Sequence, residues 1–144
     1  TIGIKPSAPS TGYGYIKVGS RKNGYIAVDK FLEKPDLNQA KKYFKDKKFF
    51  WNSGMFIWKA SVFLAEVKQY LPKLYAHLQL INSVDEIARV WPKIEAISVD
   101  YGIMEHSKRI ALIPSNFYWT DLGSWDALAE IFPKDFAGEV SLPF

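Results

Sequence analysis

Apolar and polar positions follow one another along the chain in blocks, and the period of each block predicts an element. The opening TIGIKPSAPS reads as extended chain followed by a loop, since Pro6 and Pro9 disfavour helix in the residues before them. Gly12-Tyr13-Gly14-Tyr15-Ile16-Lys17-Val18 is aromatic, β-branched and alternating, which predicts a strand. A turn over Gly19 to Gly24 leads into a second strand, Tyr25 to Lys34, that stops at Pro35, and the two strands form a hairpin. Asp36 can cap a helix reaching about Lys48, with Leu37, Ala40 and Phe44 at helical spacing. Phe49 to Trp58 is a dense apolar run, a buried strand interrupted at Asn52-Ser53-Gly54.

Helical spacing dominates the second half. Ser61 opens a helix with Phe63, Val67, Tyr70 and Leu71 on one face, closed by Pro72, and helix continues through Leu80. Ser83 and Glu86 make a capping box before Val84, Ile87, Val90, Trp91 and Ile94, where Pro92 predicts a kink or an early end. Ser98 to Ser107 reads as a short helix, Arg109 to Ile113 as a strand stopped by Pro114, and Phe117 to Thr120 as its neighbour. Ser124 caps a last helix through Phe132, and the tail AGEVSLPF carries no signal. Strands alternating with helices indicate an α/β sheet packed on both sides. In such sheets ligands gather where strands end and helices begin. That rule selects Glu33-Lys34-Pro35, Asn52-Ser53-Gly54 and Asp121.

Composition narrows the class. The 144 residues suffice for one domain, and 48% hydrophobic with 16% aromatic residues excludes a disordered chain. No apolar run approaches the roughly 20 residues of a membrane span. With no Cys and two His, disulfide frameworks, cysteine metal sites and histidine clusters fall away. A net charge of +4 is a mild tilt toward anionic ligands, not a nucleic-acid signature. Lys41, Lys42, Lys45, Lys47 and Lys48 read most simply as a solvated helix face, with anion binding as the alternative.

Each selected residue carries two readings. Glu33 can accept from sugar hydroxyls while Lys34 neutralises a phosphate, or both sit on a solvated strand end. Asn52, inside an apolar run, must be hydrogen-bonded, as a strand breaker or as a ligand contact. Asp121 suits Mg²⁺, which takes oxygen donors, or else Asp121 or Ser124 caps the next helix. Glycines at 12 and 14 weaken a strand unless a ligand or another backbone comes close. No phosphate-binding P-loop or G-x-G-x-x-G occurs. Asp100, Glu105 and His106 fall near one another on a helix, as surface or as function, whereas Tyr101 and Met104 read as core.

The order of these segments is more specific than any one of them. Gly12-Tyr13-Gly14-Tyr15-Ile16, Phe31-Leu32-Glu33-Lys34-Pro35 and Trp51-Asn52-Ser53-Gly54-Met55-Phe56 resemble the sugar-binding half of mannose-1-phosphate guanylyltransferases. Ser98-Val99-Asp100-Tyr101-Gly102-Ile103-Met104-Glu105 and Trp119-Thr120-Asp121-Leu122-Gly123-Ser124-Trp125 continue the match, which runs from Thr1 to about Asp135. Leu32, where the family more often has Val, is a harmless departure. The resemblance implies a portion of a Rossmann-like nucleotidylyltransferase fold, a mixed sheet flanked by helices, spanning residues 1–144. It implies that the backbone at Gly14 approaches the sugar, Glu33 accepts from its hydroxyls, Lys34 holds its phosphate, Asn52 bonds the ring and Asp121 ligates the catalytic Mg²⁺. Asp100 belongs to a family motif without an assigned role.

The family's glycine-rich nucleotide loop, with its Arg and Lys, and its second metal carboxylate have no counterpart in these residues. The chain, which opens on Thr1 without an initiator Met, is therefore expected to be the C-terminal portion of the catalytic domain, inactive alone. The substrates implied are mannose 1-phosphate and GTP, with the GTP site mostly outside this portion. No nucleic-acid or membrane partner is expected, a cytoplasmic setting is implied, and exposed sheet edges favour association into a homo-oligomer. Competing readings are transfer to another sugar 1-phosphate (glucose or heptose), a non-catalytic sugar-phosphate-binding module and, last, nucleic-acid binding through the lysine-rich helix.

Overall fold

In the computed structural model the described residues are 1–123, 131 and 132. Among these residues five strands and four helices follow in chain order: β1 (Ile2–Ile4), β2 (Tyr15–Arg21), β3 (Ile26–Leu32), α1 (Leu37–Lys45), β4 (Phe49–Asn52), α2 (Ala60–Tyr70), α3 (Pro72–Leu78), α4 (Val84–Val90) and β5 (Ala111–Ser115). A 3₁₀ turn (Trp91–Lys93) and a single π-helical turn (Asp100–Met104) precede β5. The strands pair in the order β1-β4-β2-β3-β5, and β5 returns to β1, closing the ladder on itself. The β1/β5 pair is parallel and the other four pairings are antiparallel, so the sheet is mixed, as the α/β reading requires.

Side-chain alternation along the strands feeds two cores. Ile16, Phe31 and Phe50 face one side, where Val67 of α2, Ile103 and Met104 of the π-turn and Leu112 of β5 complete the packing. Tyr15, Phe49 and Trp51 face the other, where α1 lays Ala40 and Tyr43 against them. The Tyr43 ring stacks on Phe49 at 4.3 Å. Asp36 caps α1, its carboxylate accepting from the Gln39 N–H at 2.8 Å. The lysines at 41, 42, 45, 47 and 48 are all exposed, Lys42 and Lys45 in the last turn where cations favour the helix dipole.

Several sequence expectations change. The buried face of α1 is Ala40 with Tyr43; Leu37 and Phe44 are exposed, because the small Ala40 is what lets the helix approach the sheet. At α4 Ser83 makes no capping bond, and Glu86 reaches one residue further back, accepting from the Asn82 N–H at 2.6 Å. Pro92 ends α4 in the 3₁₀ turn. Ser98 to Ser107 condenses to the π-turn, where Tyr101 is exposed and Met104 buried.

Pro114 lies inside β5 rather than ending it. The Ile113 N–H donates to the Thr1 carbonyl, so the donor that Pro114 lacks would face β3, whose pairing with β5 ends at Leu112. Phe117 to Thr120 forms no strand. The helix expected from Ser124 falls largely outside the described residues. The expectation of bare sheet edges also changes, because each of the five strands has a hydrogen-bonded neighbour on both sides. Among the described residues no helix is long and apolar enough to cross a membrane.

Gly3 sits where β1 is flanked by Asn52 and Pro114. A Cβ there would lie 2.5 Å from Leu112 Cδ1 and 2.8 Å from its Cγ, and Leu112 is fully buried. Gly3→Ala is therefore expected to destabilise the fold by about 1–3 kcal/mol, the usual cost of overpacking a core. Urea unfolding of the two proteins measures it, and equal midpoints would show that Leu112 can yield.

Candidate functional site

Antiparallel register places the site. Tyr15 pairs with Leu32 on one side and with Trp51 on the other, so one step further along β2 Gly14 faces Glu33 and Asn52. Its carbonyl accepts from the Asn52 N–H at 2.8 Å, which extends the β2/β4 ladder by one rung. Alternation puts Gly14, Glu33 and Asn52 on the same face as Ile16, Phe31 and Phe50, just past the end of the apolar core.

Gly14 is buried and bears no side chain, so it forms a floor between two polar residues. A Cβ at Gly14 would lie 3.0 Å from Glu33 Oε2 and 3.5 Å from Asn52 Cβ. The Glu33 carboxylate packs close over the Gly14 backbone, and a side chain at this position would crowd it.

Asn52 is tied down at both ends of its amide. Its Nδ2 donates to Asp100 Oδ1 at 2.8 Å, and its Oδ1 accepts from the Gly54 N–H at 3.1 Å. Gly54 has φ of 71°, a left-handed backbone that glycine adopts without strain, and this turn brings its N–H back to Asn52. Beside it, the Ser53 hydroxyl donates to the Ile2 carbonyl at 2.7 Å and anchors the turn to β1.

Charge gathers at the same place. Burial and the nearby Asp100 carboxylate raise the Glu33 carboxyl above its ordinary value, Lys34 pulls it partly back, and Glu105 adds to the rise. Lys34 itself is exposed, with its Nζ 3.9 Å from Glu33 Oε1. So long a pair adds little stability and leaves the ammonium available to a ligand. Pro35 is buried behind it and fixes the exit from β3.

Asp121 is exposed in an irregular segment, and Trp119 packs edge-on to Tyr13 at 5.1 Å, while Tyr13 packs edge-on to Trp51 at 5.0 Å. Tyr13, Trp51 and Trp119 belong to the cluster under α1, so the trio packs on the sheet face opposite Gly14, Glu33 and Asn52, and Asp121 follows two residues after Trp119. The Asp121 side chain forms no ion pair or hydrogen bond among the described residues. A lone oxygen donor of this kind fits Mg²⁺, which binds through one or two carboxylates and fills the remaining positions with phosphate and water. Among the described residues no cluster of three or more acidic, His or Cys side chains forms a ready-made metal cage.

Thus Gly14, Glu33 and Asn52 converge, Lys34 stands at the rim and Asp121 is carried by the segment after Trp119. The sequence reading missed the link from Asp100 to Asn52. The two are 48 residues apart, and no local periodicity pairs a strand end with a π-turn.

Comparison with known proteins is consistent along nearly the whole chain. A family model described as Nucleotidyl transferase matches residues 1–137. The chain is 40% identical to the putative mannose-1-phosphate guanylyltransferase of Vibrio cholerae, over 97% of this chain and 32% of that protein. It is also 40% identical to a mannose-1-phosphate guanylyltransferase of Salmonella typhimurium, over 94% of this chain and 30% of that protein. A solved structure from Thermus thermophilus, named a mannose-1-phosphate geranyltransferase, superposes with a TM-score of 0.85 at 31% identity, over 93% of this chain and 40% of that one. The chain spans about a third of the length of the curated relatives it matches.

The raised Glu33 carboxyl has a consequence for stability. The native state binds more protons than the unfolded one between the ordinary carboxylate value and the raised value, so stability falls as pH rises through that window. Glu33→Gln removes the partly buried charge. The variant is expected to melt higher than the parent at neutral pH, with the difference vanishing below the ordinary carboxylate range. A constant difference across pH would remove ionisation of Glu33 as its cause.

Proposed function

The chain belongs to the nucleotidyl transferase family, and on that premise we propose that it carries the sugar-phosphate side of a mannose-1-phosphate guanylyltransferase. The reaction is transfer of GMP from GTP to mannose 1-phosphate, giving GDP-mannose and pyrophosphate. A phosphate oxygen of the sugar attacks the α-phosphorus in line as pyrophosphate leaves, so the protein's task is positioning and charge neutralisation. The observation that carries this reading is the side-chain-free floor at Gly14 set between Glu33 and Asn52.

Each residue then has a task. The sugar lies on the Gly14 backbone. Glu33 accepts from its hydroxyls, Asn52 bonds the ring through its amide, and Lys34 at the rim holds the phosphate with its attacking oxygen turned outward. Mg²⁺, when bound, supplies charge neutralisation between the reacting phosphates. Asp121 is the residue here whose chemistry suits it. The relatives' names support a guanylyl donor and a mannose 1-phosphate acceptor. The family's glycine-rich GTP loop has no counterpart among these 144 residues, and no transfer is expected of them alone.

Asp121→Ala in the complete enzyme is expected to lower turnover by several orders of magnitude at saturating mannose 1-phosphate. Turnover near that of the parent with Mg²⁺ present would remove Asp121 from the metal site. Glu33→Ala should instead act on the acceptor, weakening sugar-phosphate affinity about tenfold, as expected for a lost hydrogen bond to a charged group. It should also flatten the preference among hexose 1-phosphates. Steady-state rates with mannose 1-phosphate and glucose 1-phosphate read both effects, and an unchanged preference would take Glu33 out of the pocket.

A further inference from the structure

Asn52 presents one amide to the ligand, and the two faces of an amide are chemically opposite, one donating and one accepting. Its surroundings permit a single orientation. Gly54 offers an N–H, which can only donate, at 3.1 Å from Asn52 Oδ1. Asp100 offers a carboxylate oxygen, which accepts, at 2.8 Å from Asn52 Nδ2. Turning the amide over would set donor against donor and acceptor against acceptor, so both bonds would be lost together.

The carboxylate is itself held firmly. Asp100 opens the π-turn, and Gly102, Ile103 and Met104 of that turn are buried. A Cβ at Gly102 would lie 2.9 Å from Leu71 Cδ1, so the turn seats closely against the end of α2. The Asp100 carbonyl accepts from the Glu105 N–H at 3.0 Å, which closes the turn through backbone alone. Replacing the Asp100 side chain therefore leaves the turn's own hydrogen bond in place. The carboxylate also lies near enough to Glu33 to raise its carboxyl, an electrostatic cost that the fold tolerates at this position.

We propose that Asp100 is a positioning residue of the acceptor site: it locks the Asn52 amide so that its NH₂ edge, with one N–H left for the ligand, faces the Gly14 floor opposite the Glu33 carboxylate. The pocket then offers a hydroxyl-bearing ring one fixed donor and one fixed acceptor on opposite sides. This pairing discriminates hydroxyl configuration, because an epimer that moves one oxygen meets the wrong partner. The inference rests on the reading of Gly14, Glu33 and Asn52 as the sugar site, and its test separates the two.

The complete enzyme is titrated calorimetrically with mannose 1-phosphate and with glucose 1-phosphate, at saturating GTP with divalent metal chelated so that no transfer occurs. The proteins compared are the parent, Asp100→Ala, Asp100→Asn, Asn52→Ala and the Asn52→Ala/Asp100→Ala double variant. Asp100→Ala is expected to weaken mannose 1-phosphate about tenfold and to narrow the ratio between the two sugars. Asp100→Asn, whose carboxamide oxygen can still accept from Asn52, should stay within about threefold of the parent. In the Asn52→Ala background, Asp100→Ala should have no further effect, because it acts through the amide that is gone.

A role confined to holding the π-turn would instead give additive losses and no rescue by Asn. Additive losses, or unchanged binding by Asp100→Ala, overturn the inference while leaving the sugar site intact. A parent that binds neither sugar phosphate overturns the sugar-site reading and this inference with it. Should Asp100→Ala not fold, as judged by thermal unfolding, Asp100→Ser takes its place in the same cycle.

Discussion

The register of β2 between β3 and β4 is the constraint on which the rest depends. Because Tyr15 pairs with Leu32 and Trp51 at once, Gly14 must fall between Glu33 and Asn52. A slip of one residue would turn every side chain to the opposite face and carry Tyr15, fully buried in the core under α1, to the side of the π-turn. Two separate apolar clusters oppose such a slip, one on each face of the strands. The polar floor is thus held in place by hydrophobic packing at some distance from it.

From this register the two faces of the sheet take different tasks. The face under α1 is aromatic and closed, with Tyr15, Tyr43 and Phe49 packed ring against ring. Tyr13 and Trp119 extend this face and tether the segment that bears Asp121 to it. The opposite face carries the polar residues at its end, and the π-turn closes over it with Asp100. Acidic groups that repel one another, Glu33, Asp100 and Glu105, are retained there at some cost in stability.

Much of this was legible along the chain. The hairpin, the Asp36 cap and the helix face of Phe63 and Val67 all follow from local periodicity and local capping chemistry. The strand expected over Phe49 to Trp58 instead ends at Asn52 and does not resume, because Gly54 turns the chain with φ of 71° and the Phe56 and Trp58 rings stack toward Phe63 on α2. Resemblance across five ordered motifs singled out Gly14, Glu33, Lys34, Asn52 and Asp121 as candidates, and the strand register brings Gly14, Glu33 and Asn52 together. What failed was local in a different sense. Leu37 and Phe44 fit helical spacing as well as Tyr43 does, and only the angle at which Ala40 meets the sheet chooses between the two stripes. Phe117 to Thr120 has strand-like residues but pairs with no strand among the described residues, and Trp119 packs edge-on to Tyr13 instead. Pro114 was expected to stop β5, yet a strand tolerates proline wherever its missing donor points away from a partner.

The amino-acid sequence by itself determined which segments become strands and helices and which polar residues interrupt them, since spacing and turn chemistry act over a few residues. Tertiary structure alone decided that the sheet closes on itself, that Gly14 faces both Glu33 and Asn52, and that Asp100 reaches Asn52 across 48 residues. Those relations depend on which strand lies beside which and on how the π-turn seats against α2. They are set by the burial of both faces together, and that is a property of the packed molecule, which no window of sequence contains.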